Sequence, residues 1–475
     1  MAERSQYDVV AVGSSFATSF FLHTYLQSAP PHARVLVLER GLLEDSAWQL
    51  ENRENSSLNS NDTFINGTPQ KPWRFTLNFG GSSNCWWACT PRFMPNDFRM
   101  QSTYGVGVDW PLTYEELMPF YDRAEQLMEI SGPSDGSPYP RSKPYPQPPH
   151  RLSAPDLLLK QAFPNEFFVM PSARARVDTD TRAACCASSI CHLCPVDAKF
   201  TIENGMASVF KDPRVTLEVS AQADHLRWQG SSVQAIEYHR DGRQHTVAGD
   251  LFLLGANAIF NPFLMLKSGI DHPLLGKYLH EQVSLVYNID LDGLDNYQGS
   301  TSLTGHGYMH YDGPHRRERA GCLIETINVP TLRPERGKWR QRAAYKLIFE
   351  DLPSEASYVG VAPQDPTRPI TVYGGISAYA EKSLAMADDL LKTLVAPLPV
   401  ENIEKPKQAP TEAHILGTTR MGNDLATSVL DKHLVHHQLR NLVVLGSGAF
   451  PHGGPANPTL TLSALSLWSA HHLTS

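Results

Sequence analysis

Residues 8–18 read DVVAVGSSFAT. Tyr7 to Val12 is a short, mostly apolar run, and Gly13-Ser14-Ser15 is a turn. Ala17, Phe20, Phe21 and Tyr25 then fall at i, i+3, i+4 and i+8, one face of a helix. Val35 to Leu38 is a second apolar strand that ends at Glu39. Strand, turn, helix and strand make a βαβ unit on a parallel sheet, so the fold class is α/β with a Rossmann-like domain. A dinucleotide fingerprint asks for three glycines: for the tight turn, for close approach of the pyrophosphate and for helix–strand packing. Only Gly13 is present; Ser15 and Thr18 stand at the other two positions, and Thr18 is accommodated if the helix sits further out. The helix N-terminus at Ser15–Ala17 is expected to face a pyrophosphate. Glu39 is placed to bond a ribose hydroxyl. Alone, these residues equally describe a βαβ unit that binds nothing.

Outward from this unit, residues 51–71 are polar and read as loop. Pro111 to Ile130 has helical spacing, with Pro119 expected to kink or divide it. Residues 132–150 hold seven prolines, which excludes helix and central strand and leaves a semi-rigid crossing. Residues 215–254 form a β-meander that ends in the apolar strand Leu251 to Leu254, with a helix after it. Residues 283–380 alternate strands with charged turns, which predicts a second, α+β domain built on an antiparallel sheet. Residues 441–445 are another apolar strand, and Pro458 to His472 a helix. A chain of 475 residues exceeds what one core usually supports, consistent with two domains. The net charge of −8 leaves no basic footprint for nucleic acid. The basic patches His315–Arg319 and Arg333–Arg342 read as solvated faces. Asn257, Asn261 and Pro262 interrupt the most apolar stretch, so no membrane span is expected. No apolar leader precedes Asp8, so the expected location is cytoplasmic, or periplasmic if a partner subunit carries the chain across.

Four further blocks decide the chemistry: GGSSNCWWACTPRF at 80–93, VDWPLTYEELMPFYDR at 108–123, HILGTTRMG at 414–422 and NLVVLGSGAFPHGGPANPTLTLSALSL at 441–467. In these blocks the chain resembles the glucose–methanol–choline (GMC) oxidoreductases, nearest to pyranose oxidases and the flavin subunits of bacterial sugar and gluconate dehydrogenases. The resemblance is weakest from about 283 to 400. It implies an FAD domain assembled from 1–95, 180–280 and 405–475, and a substrate domain from 96–179 and 281–404. It further implies that Gly13, Ser14, Ser15, Glu39 and Arg40 hold the adenosine diphosphate half. Gly80, Gly81, Ser82, Asn84 and Cys85 would line the flavin, Val219 the adenine, and Gly446, Ser447 and Ala449 the ribityl chain. Pro458 and Thr459 would open a helix capped by Asn457, with its positive end toward the flavin.

The same resemblance makes His414 the base that takes the hydroxyl proton as hydride leaves carbon, with Asn457 bonding the substrate oxygen. His452 is the nearby competitor and reads as pocket lining or surface. The implied activity is oxidation of a CH–OH group of a sugar or sugar-like alcohol. The alternatives are an oxygen-reducing oxidase, a non-redox lyase on the same fold, or a non-catalytic subunit. Cys85 stands where some pyranose oxidases tether FAD through a histidine; non-covalent binding is the expectation here.

Seven cysteines, four of them within ten residues, do not describe a disulfide framework. The segment CCASSICHLCPVDAK at 185–199 resembles the cysteine run of flavin dehydrogenases that carry a [3Fe–4S] cluster and pass electrons to a cytochrome or small subunit. Cys185, Cys186 and Cys191 keep that spacing, whereas the gap to Cys194 is one residue short. A thiol-rich turn with one disulfide and a zinc site stand as alternatives.

Overall fold

The computed structural model describes residues 6–474. Its first sheet is built around the opening βαβ unit. Strand Gln6–Val12 lies between Val35–Leu38 and the long strand Arg243–Leu254, parallel to both. Val215–Glu218 extends the sheet beyond Val35–Leu38, and Leu442–Val444 pairs with the end of the long strand. Val9, Val10, Ala11, Val35 and Val37 are wholly buried, as expected for parallel strands covered on both faces. The meander Gln222–Gln229, Ser232–Arg240 and Arg243–Leu254 completes the sheet on an antiparallel edge. Helix Phe16–Ser28 packs against the C-terminal helix Thr459–Thr474. The latter is apolar or small on nearly every side, and is buried accordingly.

The second sheet is antiparallel throughout. Its strands run in the order Val400–Ile403, Val283–Leu291, Arg342–Phe349, Cys322–Ile327, Leu303–His310, Phe167–Val169. Lys407–Gln408 also pairs with Val283–Leu291 and carries the chain toward His414. One face packs Tyr345, Leu347 and Phe349 with Leu390, Leu391 and Leu394 of helix Ala387–Val395. A third, three-stranded sheet joins Tyr358–Ala362, Asp365–Val372 and Ile65–Asn66.

Two local expectations are corrected. Pro119 does not divide its helix, which runs unbroken over Tyr114–Leu127. A Thr113–Glu116 capping box fixes the start, and Leu117, Tyr121 and Ala124 are buried on one face, which outweighs the bond lost at proline. The polar stretch 51–71 is not all loop: it holds the end of helix Ser46–Asn52, a 3-10 turn at Ser60–Thr63 and strand Ile65–Asn66. Among the described residues, no helix is long and apolar enough to cross a membrane.

Candidate active site

The two missing fingerprint glycines are supplied from elsewhere in the fold. Gly13 takes a positive φ of 89°, and a Cβ there would stand 2.6 Å from the Gly255 carbonyl. A Cβ on Gly255 would in turn meet Thr18 Oγ1 at 2.2 Å, so glycine on the partner strand makes the room that Thr18 consumes. Ser15 is treated likewise: a Cβ on Gly81 would lie 2.8 Å from Ser15 Cβ. The helix therefore closes on the sheet without moving outward. Glu39 holds the turn, accepting from Ser14 N at 3.0 Å, Ser14 Oγ at 2.6 Å and Gly41 N at 2.7 Å. Burial raises its carboxyl above the ordinary range.

In front of this turn lies a cleft of about 880 Å³. Gly13, Ser14, Ser15, Glu39, Arg40, Gly81 and Ser82 are on its wall. Val219 is not; Ala221, Gln222 and Ala223 take that place. Gly80, at φ 79°, opens the 3-10 turn Gly81–Ser83. Asn84 is spent on its own loop, donating to Phe79 O at 2.9 Å and Gly81 O at 2.8 Å. The Cys85 thiol donates to Ser82 O at 3.6 Å.

The 446–449 turn links this cleft to His414. A Cβ on Gly446 would lie 3.9 Å from Ala17 Cβ in the first helix. Ser447 Oγ donates to Ile415 O at 2.7 Å, and Gly417 N and Met421 N bond Ser447 O and Ala449 O at 3.1 and 2.9 Å. Residues 280–282, at the foot of the second sheet, then fix the loop that carries His414. Glu281 Oε2 accepts from Thr411 Oγ1 at 3.0 Å, Glu412 N at 3.2 Å and His414 N at 3.2 Å, while its Oε1 pairs with Lys71. His280 Nε2 accepts from Gly453 N at 3.1 Å.

Gln282 spans the two catalytic candidates. Its Nε2 donates to Gly454 O at 2.9 Å and Ala456 O at 3.0 Å, and its Oε1 lies 2.9 Å from His414 Nδ1. Two carbonyl acceptors fix the orientation of the Gln282 amide, so Oε1 must accept from His414. Nδ1 therefore carries the proton, and Nε2 presents a free lone pair. Burial, with the Lys346 ammonium nearby, pushes His414 down to about 3, so the ring is neutral at any working pH.

Asn457 does not cap the last helix, which begins at Thr459. Pro458 O accepts from Leu462 N at 3.0 Å, and the Asn457 Oδ1 is buried with no hydrogen-bond partner among the described residues. His452 Nε2 is similarly orphaned, and the ring packs on Trp110 at 6.2 Å. His280, Glu281, Gln282 and Gly255 were not singled out from sequence. The available signal was the polar run His280-Glu281-Gln282 set directly before the apolar strand Val283–Leu291.

All seven cysteines are free, so the disulfide alternative is not realised. Cys186 is exposed, whereas Cys191 is buried with its thiol 3.1 Å from Ser302 Oγ. The Cys185 sulfur is 3.6 Å from Thr301 Oγ1, and Cys194 lies on the wall of a separate small cavity with Lys199. Among the described residues no three His, Cys, Asp or Glu side chains gather into a metal-binding group. As placed, the four thiols do not gather as a [3Fe–4S] cluster or a zinc ion requires.

A sheet with a parallel core and a cleft before its first turn is set against an antiparallel sheet and a loop that carries a neutral imidazole. Residues 353–466 match the family model described as GMC oxidoreductase. Fructose dehydrogenase large subunit from Gluconobacter japonicus is 24% identical, over 98% of this chain and 97% of its own length. Paromamine 6'-oxidase from Streptomyces fradiae is 27% identical, over 84% of this chain and 78% of its own. Among solved structures, pyridoxine 4-oxidase from Mesorbium loti superposes with a TM-score of 0.72 at 17% identity, covering 98% of this chain and 99% of the other. The C-terminal part of the chain thus matches the GMC oxidoreductases, and most of its length is similar to a fructose dehydrogenase subunit and a paromamine oxidase; FAD is the cofactor that this resemblance implies. The residues present fit that cofactor: the cleft offers glycine-lined close approach and an open helix N-terminus, and a buried amide oxygen at Asn457 awaits a partner.

Proposed function

We propose that this chain oxidises a secondary or primary hydroxyl of a sugar-like alcohol to a carbonyl, with His414 as base. The carrying observation is the Gln282 bridge, which fixes the His414 tautomer and ties it to the turn before Asn457. Gly13–Ser15, Glu39–Arg40 and Gly81–Ser82 would hold FAD's adenosine diphosphate half, and the 446–449 turn its middle. Bound FAD supplies a two-electron acceptor for the hydride that leaves the alcohol carbon. His414 Nε2 receives the hydroxyl proton, so the alcohol loses one hydride and one proton and becomes a carbonyl. The Asn457 amide holds the substrate oxygen in line for that transfer.

The low proton affinity of His414 keeps it ready to accept at all working pH values. Its imidazolium form, once made, gives the proton up to solvent readily. That the Gluconobacter relative is the large subunit of a fructose dehydrogenase supports a dehydrogenase whose electrons leave to a partner protein, rather than an oxygen-reducing enzyme. The test is turnover of hexoses and polyols with an artificial electron acceptor, with peroxide measured in parallel. The reading expects acceptor reduction with little peroxide, lowered roughly 10²–10⁴-fold in His414→Ala. Turnover unchanged in that variant would refute it. Stoichiometric peroxide would assign an oxidase instead.

A further inference from the structure

The face of the second sheet turned away from its helices carries a polar row. His306, Glu325 and Lys346 are register partners on three adjacent strands: His306 lies opposite Glu325, and Glu325 opposite Lys346. Residues directly opposite on antiparallel strands keep their Cβ atoms ~4.5–5.5 Å apart. The three side chains therefore form one continuous strip. The strip meets the catalytic loop: Lys346 pairs with Glu412, two residues before His414, and Ser284 of the neighbouring strand donates to the same carboxylate.

The strip is not self-satisfied. Glu325 is 3% exposed, yet only its Oε1 is engaged, 3.2 Å from His306 Nε2. Its Oε2 makes no hydrogen bond among the described residues and is not fully enclosed. That oxygen therefore borders open space. Tyr308 OH lies 3.5 Å from His306 Nδ1, and His306 Nε2 faces Glu325. The Lys346 ammonium has three hydrogens and spends one on Glu412. Glu325 thus offers a free acceptor beside a free donor on Lys346.

Charge adds a filter. Lys346 is balanced by Glu412, and Lys71 by Glu281. Against its burial, the hydrogen bond from His306 holds the Glu325 carboxylate below the usual range, and its Oε2 can only accept.

Resting on the alcohol-oxidation reading above, we infer that this strip is the recognition surface for a polyol ring that carries no carboxylate. Glu325 Oε2 accepts from one ring hydroxyl, Lys346 Nζ donates to its neighbour, and the acceptor-only carboxylate oxygen admits neutral or amino-substituted rings while turning away sugar acids. A monohydric alcohol can meet His414 but leaves both partners on the strip unmatched, which is costly for buried charged groups.

The test is equilibrium binding by calorimetry to the FAD-loaded protein. The probes are three matched hexose sets: glucose, glucosamine and glucuronate; galactose, galactosamine and galacturonate; mannose, mannosamine and mannuronate. In at least one set the amino and neutral rings bind, and the acid binds at least ~10-fold more weakly, on the scale of one charge-assisted contact. Glu325→Gln, which preserves shape and the His306 contact, removes most of that preference. Lys346→Met weakens the neutral ring ~10-fold or more. Failure of all three sets to bind, acids binding as well as neutral rings, or a preference untouched by Glu325→Gln would overturn the assignment. Flavin reduction by bound ring is followed separately. Binding in this order without reduction would refute the oxidation reading while leaving the strip's recognition intact; reduction without the order would do the reverse.

Discussion

At the residue scale the decisive group is Gln282. A histidine base works only if its free nitrogen faces the substrate, and here a single amide, locked by two backbone carbonyls, makes that choice. Gln282→Leu leaves the Nδ1–H without its acceptor and the ring free to change tautomer. We expect kcat to fall roughly 10–100-fold with KM little changed, read by steady-state kinetics. Gln282→Glu keeps the acceptor but adds a carboxylate, which favours the imidazolium and raises the proton affinity of His414. Activity needs the neutral ring, so the acid limb of the kcat profile moves to higher pH; an unmoved limb would deny the contact a role. His414 and Asn457 were legible from HILGTTRMG and GGPANP because those short blocks are contiguous in sequence. Gln282 was not, since its function is a contact across 132 residues.

At the scale of elements, the nucleotide turn shows how a degraded motif keeps its geometry. The fingerprint describes one strand and one helix, but the space it guards lies between three chain segments. Gly255 and Gly81 vacate the volume that Thr18 and Ser15 fill. Gly255→Ala should drive its Cβ into Thr18 Oγ1, lowering the FAD retained on purification and the melting temperature. Thr18→Ala in the same chain removes the obstructing oxygen and should restore both. Loss of FAD in the double variant as in the single would show that the clash is not what matters. Strands Gln6–Val12, Val35–Leu38 and Leu442–Val444 were readable from apolar runs to within a residue or two, because burial on both faces leaves little freedom of composition, whereas Arg243–Leu254 was readable only at its apolar end, Leu251 to Leu254. The small sheet on Ile65–Asn66 was not, since two residues carry no periodicity. Asn457 was read as the cap of the last helix as well as a substrate contact, but the helix begins at Thr459, one residue after Pro458, and the Asn457 Oδ1 is left without a partner among the described residues.

At the scale of the molecule, a buried charge cluster ties the second sheet to the segment around the active-site turn. Arg316 bonds Asp97 at 2.7 Å and grips Glu350, Tyr311 OH donates to Asp97 at 2.7 Å, and Asp97 abuts Gly454. Arg316→Met leaves two buried carboxylates without their cation. We expect a loss of about 3–5 kcal/mol, read by chemical denaturation.

Acid should weaken the fold. Burial holds His414 and His150 near 3, and His280, His436 and His452 near 4, against 6.5 when unfolded. A histidine depressed in the fold takes up its proton only on unfolding, so stability drops as pH falls below about 6.5 and levels off only below about 3. Asp97 and Asp351, raised to about 6, bind protons in the folded state and oppose this, but the histidines outnumber them. Melting temperatures measured from pH 7.5 to 4 should fall; a flat or rising series would contradict the buried neutral rings.

The central claim is that flavin and His414 act together on an alcohol, and anaerobic flavin bleaching tests it most directly. The FAD-loaded protein, mixed without oxygen with a hexose or polyol that it binds, should lose its visible absorption in a single turnover. His414→Ala should retain FAD and bind the same ring, yet bleach at least ~100-fold more slowly. A flavin that stays oxidised in the unmodified protein, or that bleaches equally fast without the imidazole, would contradict it.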